Sequence, residues 1–201
     1  MELREAVHRR RMTRNYTNEQ VDPRVVDDML AAAVRAPSAG FSQGWSFLVL
    51  DTEQDVGTYW AAATDPDTAP DSWLTGMRRA PVLIVAFSCK QAYLSRYAEE
   101  DKGWRDRAES RWPVPYWHMD TAMAVMLMLL VAQEAGLGSC FFGVPGEVTD
   151  TLRAAFGVPA DHVPVGVVSV GHRAAPLAQG SPSRRPRRPL AEVVHRGRWQ
   201  S

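Results

Sequence analysis

The chain has 201 residues, 23 basic and 23 acidic side chains, and therefore a formal net charge of zero. With 45% hydrophobic and 23% charged residues it has the make-up of one globular domain, not of a disordered or membrane-spanning chain. Balanced charge supplies no global attraction to nucleic acid or to a membrane surface, and it removes the repulsion that keeps copies apart.

In chain order, Glu2–Arg11 is expected as a short amphipathic helix with Leu3 and Val7 on one side. It runs into Arg9-Arg10-Arg11-Met12-Thr13-Arg14, where four arginines within six residues make either a solvated face or an anion site. Asp22 and Pro23 supply a cap and a first-turn proline for a helix over Arg24–Arg35, with Val25, Val26, Met29, Leu30 and Ala33 at helical spacing. Ala36–Trp45 is a loop by its Pro, Ser and Gly content, and such backbone can converge N–H groups and hydroxyls on a polar ligand. Ser46–Leu50 is an expected strand, Thr52–Ala63 a weak helix and Ala80–Ser88 a strand buried on both faces.

Residues 91–117 form a charged, aromatic excursion. Tyr93–Arg107 is expected to be helix-like, and Trp112, Tyr116 and Trp117 follow among prolines. The stretch reads either as a lid or as a surface helix whose aromatic side chains pack inward. The eleven residues Ala122–Ala132 are all apolar and rich in helix formers, with Asp120 or Thr121 available as a cap. A helix apolar on every side belongs in a core, and this one falls short of the roughly twenty residues that span a bilayer. Gly136 can then take the left-handed position that ends the helix, Leu137–Phe142 reads as a strand, Val148–Phe156 is a helix, and His162–Val170 is another buried strand. Residues 174–188 carry no core of their own, while Pro189–His195 and Trp199 suggest that the tail docks again.

The resulting expectation is an α+β fold in one domain, residues 1–201, with a central mixed or antiparallel sheet of four or five strands. Cys89 and Cys140 sit in apolar contexts, read as buried thiols, and no metal-ligand spacing is visible. There is no dinucleotide-binding glycine motif, P-loop or nucleophile elbow. The amino terminus, Met1-Glu-Leu-Arg-Glu, lacks the apolar core of a secretory signal, which points to a cytoplasmic protein.

Four stretches, in order, resemble the FMN-dependent nitroreductase family. Arg10-Arg11-Met12-Thr13-Arg14-Asn15-Tyr16 is similar to Arg-Arg-Ser-x-Arg-x-Phe. Ala36-Pro37-Ser38 with Gln43-Gly44-Trp45-Ser46-Phe47 is similar to Ala-Pro-Ser-x-x-Asn-x-Gln-Pro-Trp-x-Phe. Gly136–Cys140 and the closing Arg185-Pro186-Arg187-Arg188-Pro189-Leu190, with Glu192-Val193-Val194, complete the set.

The resemblance implies a nitroreductase-like fold, a homodimer whose carboxy-terminal arms, residues 174–201, are exchanged, and one FMN at each of two interface sites. Arg10, Arg14, Arg185 and Arg187 would then hold the phosphate, since arginine forks bind its oxygens in pairs. Arg11 and Met12 lie in the same motif, with Met12 replacing a serine and losing a hydroxyl contact. Pro37, Ser38, Phe41 and Gln43 would approach the phosphate, ribityl chain or ring edge; Phe41 replaces a frequent asparagine, and Gly44 in place of proline would loosen the loop. Phe141, Phe142 and Gly143 would lie along the isoalloxazine, with a backbone N–H near N5.

The implied activity is ping-pong transfer of hydride from NAD(P)H to a small flat aromatic acceptor such as a nitroaromatic or quinone, with no catalytic side chain. Phe142 or an aromatic of the excursion would shape the shared open face. Arg78, Arg79, Arg105 and Arg107 are candidates for an NADPH phosphate. An oxygen-using member that dehydrogenates its substrate or fragments flavin is the alternative. A dehalogenase fits less well, because Tyr93 and Tyr97 precede Glu99, Glu100 and Lys102. A nucleic-acid module using Arg9–Arg14 and Arg184–Arg188 is the remote third reading, weakened by the zero net charge. His118, His195, Trp199 and Cys140 read as packing, capping or docking residues.

Overall fold

The computed structural model describes residues 1–67, 69–178 and 185–199. Eight helices and four strands are formed among these residues. They are α1 (Leu3–Arg9), α2 (Pro23–Ala33), β1 (Trp45–Leu50), α3 (Glu53–Ala63), α4 (Ser72–Met77), β2 (Val82–Cys89), α5 (Lys90–Tyr97), α6 (Tyr116–Glu134), β3 (Gly138–Phe142), α7 (Thr149–Phe156), β4 (His162–Gly171) and α8 (Leu190–Val193). Local chemistry sets several starts. The Asp22 carboxylate accepts from the Arg24 N–H with Pro23 in the first turn, Thr52 Oγ1 accepts from Asp55, and Asp71 accepts from Leu74.

The sheet runs in the order β1-β2-β4-β3 and every neighbouring pair is antiparallel. Of the expected mixed or antiparallel sheet, the antiparallel form is realised. The parallel contact among the described residues is an isolated bridge between Met12 and Ser139. Alternate residues of β2 enter two cores: Val82, Ile84 and Ala86 face α2 and α6, while Leu83, Val85 and Phe87 pack with Tyr59, Trp60, Met77 and Leu152 of α3, α4 and α7. Helices therefore cover both faces. β2 has no solvated side, and its near-unbroken apolar run follows from that.

Three expectations change. α6 begins at Tyr116, ahead of the expected cap at Asp120 or Thr121, so both lie inside the helix, buried. The apolar run is not buried all round: Met119, Met123 and Met126 are 47%, 40% and 39% exposed, and with Ala122 they form one stripe on the outer side. The excursion is helical only through Tyr97 and then turns irregularly. No helix of the described residues is long and apolar enough to cross a membrane.

Candidate functional site

The amino-terminal arginines are placed by a short extended segment laid on the free edge of β3. The Thr13 N–H donates to Ser139 O at 2.9 Å, and Met12 and Tyr16 form bridges to Ser139 and Arg173. Tyr16 anchors the segment: its ring is fully buried, its hydroxyl donates to Thr13 O at 2.7 Å, and it shares a hydrogen bond with Ser169 Oγ at 2.8 Å.

Arg10 and Arg14 come close enough to Cys140 to counter the burial that pushes its thiol up. Arg10 Nη1 is buried without a hydrogen-bond partner among the described residues. Among the described residues Arg14 donates to the Met12 carbonyl alone, at 3.3 Å. Arg11 turns away and caps α1, donating to His8 O and Arg10 O at 2.5 and 2.9 Å. Met12 Sδ accepts the Phe141 N–H at 3.4 Å, so the residue that replaces a serine closes one backbone donor of β3.

The loop before β1 is built differently. Ser38 Oγ accepts the Gln43 N–H at 3.1 Å, and Ser42 Oγ donates to Ala39 O at 2.7 Å. Asp120 Oδ2 accepts both the Ala39 N–H and the Tyr93 hydroxyl, each at 2.8 Å. Burial and that carboxylate push the Tyr93 phenol well above its usual range. Arg96 Nε donates to Gly40 O at 2.9 Å.

Gly40, Phe41 and Gln43 all take left-handed backbone, with φ of 60°, 56° and 48°. For Phe41 and Gln43 this is a strained state that the surrounding contacts must hold. Phe41 is 73% exposed, and Pro37 and Gln43 are exposed with it. Gly44 does not loosen this loop. A Cβ there would stand 2.5 Å from the Tyr93 ring and 2.8 Å from Cys89 O, so glycine is what lets α5 press against the loop.

The excursion covers that loop with an aromatic cluster. Trp112 lies 4.6 Å from Tyr97, 5.5 Å from Trp104 and 5.9 Å from Tyr93, ring centre to ring centre. Its indole Nε1 is buried without a hydrogen-bond partner among the described residues. Of the two readings of residues 91–117, inward packing describes the rings. His118 hydrogen-bonds Ser88 Oγ at 2.8 Å, in a packing role, and burial holds its imidazole below the usual value.

One chain does not bring all the predicted residues together. Arg10, Arg14 and Met12 meet Phe141 and Cys140 at the β3 edge, while Pro37–Gln43 precede β1, the opposite edge of the sheet. The whole width of the four-stranded sheet therefore separates the two rims. Phe142 does not present its ring to an open face: it stacks on Trp60 at 5.9 Å and 6° and meets Trp73 edge-on. Gly143 is exposed, with open space where a Cβ would stand.

The tail is not docked on its own body at the expected positions. Leu190 and Trp199 are 76% and 84% exposed, and Arg185 and Arg187 are exposed beside them. Arg184 lies outside the described residues. Arg78 and Arg79 border a cleft of about 740 Å³ with Trp60 and Val56, while Arg105 and Arg107 lie in exposed turns.

Sequence reasoning missed Asp120, Tyr93 and Arg96 as the supports of the loop. Asp120 at the head of an apolar run looks like a cap, and only the depth of the helix it sits in reveals it as an acceptor for other elements.

The model of the nitroreductase family matches residues 7–172. A protein of Archaeoglobus fulgidus, provisionally named NADH dehydrogenase/NAD(P)H nitroreductase, is 29% identical over 168 residues, covering 83% of this chain and 82% of its own. A 5,6-dimethylbenzimidazole synthase of Rhodospirillum rubrum is 28% identical over 175 residues, covering 81% and 77%. Among solved structures, a provisionally named nitroreductase of Desulfovibrio desulfuricans in complex with FMN superimposes with a TM-score of 0.70 at 26% identity, covering 100% of this chain and 99% of that one. With its antiparallel sheet between helices and a family match over most of its length, this chain belongs to the nitroreductase family.

Proposed function

We propose that the chain is an FMN-dependent oxidoreductase that passes hydride from NAD(P)H to a flat electrophile such as a nitroaromatic or a quinone, and that it works as a homodimer. The observation that carries the reading is the buried Arg10 Nη1, a cationic donor with no acceptor among the described residues, beside a loosely engaged Arg14. A buried unsatisfied donor is costly, and a phosphate dianion is the partner whose geometry suits two arginine forks. FMN supplies two-electron chemistry through its ring. Around it, Arg10 and Arg14 bind the phosphate, Phe141–Gly143 present backbone to the ring, and the strained 38–43 loop offers Ser38 and Gln43 to its polar edge. No side chain is assigned as an acid, and the proton comes from solvent.

The dimer rests on three features. The two rims of the site lie at opposite edges of the sheet, α6 leaves a stripe of Met119, Met123 and Met126 in water, and the arm exposes Leu190 and Trp199. A second copy brings one rim against the other and covers both apolar surfaces. Replacing Met123 and Met126 by Asp is expected to turn a dimer into a monomer and to lower flavin content with it, read by light scattering and absorbance.

The deciding experiment is an anaerobic absorbance spectrum before and after NADH or NADPH. Flavin bands that bleach support the reductase. Bands that persist with both nucleotides favour the second reading, an oxygen-using enzyme reduced by its own substrate. The relative named 5,6-dimethylbenzimidazole synthase keeps that reading open, because it attaches a name other than nitroreductase to a similar chain. Protein that takes up no FMN overturns both.

A further inference from the structure

We propose that Cys89, Asp161 and His162 form a binding site for one divalent ion of the zinc class. Cys89 ends β2 and His162 begins β4, and the two are direct partners in the antiparallel register. Asp161 precedes His162 in the turn that feeds the strand. The three ligating atoms all lie within 4.8 Å of one another. Asp161 Oδ1 is 2.8 Å from His162 Nδ1, and Oδ2 is 3.6 Å from Cys89 Sγ. A tetrahedral ion with bonds of about 2.0–2.3 Å holds its ligand atoms roughly 3.3–3.8 Å apart. The trio therefore needs side-chain adjustment only, not backbone movement.

The chemistry of the set selects the ion. One sulfur, one imidazole nitrogen and one carboxylate oxygen suit a borderline-soft cation, whereas calcium and magnesium take oxygen ligands. The order of contacts argues against a nucleophilic triad. There the histidine must touch the nucleophile and the acid must orient the histidine, whereas here the carboxylate stands between the thiol and the ring.

The turn is also held from behind. Arg153 Nη2 of α7 donates to Ala160 O at 3.1 Å and to His162 O at 2.8 Å, fixing the backbone that carries two of the three ligands. The neighbouring cation, Lys90, is drawn aside by Glu109 at 2.6 Å. Binding releases the Cys89 thiol proton and any proton on His162 Nδ1 to solvent, and leaves a fourth position for water beside the exposed Asp161. Cys89 N–H donates to Gly44 O at 2.7 Å, so an ion here ties the β2–β4 end of the sheet to the 38–44 loop.

The test uses the purified, untagged protein with its flavin content left as isolated, freed of metal by a chelator and titrated with Zn²⁺ and separately with Co²⁺. One Zn²⁺ per chain is expected, together with a Co²⁺ difference spectrum containing a thiolate-to-metal band. Cys89→Ser is expected to abolish that band. Asp161→Asn, at an exposed position that leaves the fold intact, is expected to weaken Zn²⁺ at least tenfold and to remove the rise in Tm that Zn²⁺ gives the parent protein. Zn²⁺ bound no more tightly by the parent than by either variant, or a Co²⁺ spectrum without the thiolate band, overturns the proposal. None of these readouts depends on flavin chemistry, so the outcome is independent of the oxidoreductase reading.

Discussion

The two rims of the candidate site are built on opposite principles. Around residues 38–44 polar groups are matched within the chain: Ala39 and Tyr93 share Asp120, Gly40 receives Arg96, and Ser38 receives Gln43. Around Arg10 and Arg14 cationic donors lack strong partners among the described residues, and on the arm Arg185 and Arg187 are exposed. The difference separates support from recognition. A strained loop must be held by its own molecule before anything binds, whereas groups meant for an anion must be unspent until it arrives.

The largest effect is expected from breaking the support. Asp120→Ala removes the single oxygen that accepts two donors, leaving the Ala39 N–H and the Tyr93 hydroxyl orphaned in a buried place. At about 1–3 kcal/mol for each orphaned buried group, a loss of about 3 kcal/mol is expected. For a chain of this size that is a fall in Tm of about 6–12 °C by calorimetry. Asp120→Asn keeps an oxygen there and is expected to recover most of it. Equal melting of the two variants would mean that the carboxylate does not hold the loop.

The opposite signature is expected on the recognition side. Arg10→Ala is expected not to lower the Tm of flavin-free protein, and to raise it slightly, because a costly buried donor without a partner among the described residues is removed. FMN affinity in a fluorescence titration is expected to fall about 10–100-fold, the worth of one charge-assisted hydrogen bond at about 1.5–3 kcal/mol. Arg187→Ala, on the exposed arm, is expected to cost about threefold to tenfold. A Tm loss from Arg10→Ala without a loss of affinity would reassign it to the support.

Much of the fold was legible because the signals were local. The unbroken Val-Leu-Ile-Val run of β2 and the Asp22-Pro23 cap of α2 each carry their own explanation. What escaped depends on contacts distant in the chain. Asp120 is recognisable as an acceptor only when residues 39 and 93 are beside it, 81 and 27 positions away. The outer stripe of α6 escaped because an all-apolar helix shows no polar face, so the sequence cannot mark which side packs on its own sheet. Leu190 and Trp199 suggest a docking tail by their apolar character, yet both are exposed, since nothing local says what surface an apolar residue will meet. Gly44 looked like a loosened proline because the Tyr93 ring that excludes a Cβ is 49 residues away in the chain.

The smallest expected effect sharpens the support side by pH. His118 stands near the amino-terminal end of α6, hydrogen-bonded to Ser88, and burial, with Lys90 adding to it, holds its imidazole below the ordinary value. The folded protein therefore keeps this ring neutral at a pH where the unfolded chain has begun to protonate it. Between the unfolded value of about 6.5 and the lower folded one the unfolded state binds more protons, so stability rises with pH. The contribution is complete above the unfolded value and is lost as pH falls through the folded one. His118→Asn keeps a hydrogen-bonding group near Ser88 but cannot titrate. Its Tm is expected to decline less steeply than that of the parent from about pH 7 to about pH 5. Because the ring is only half-buried the difference is expected to be small. Parallel slopes in the two proteins would mean that other groups carry the acid sensitivity of this end of the sheet.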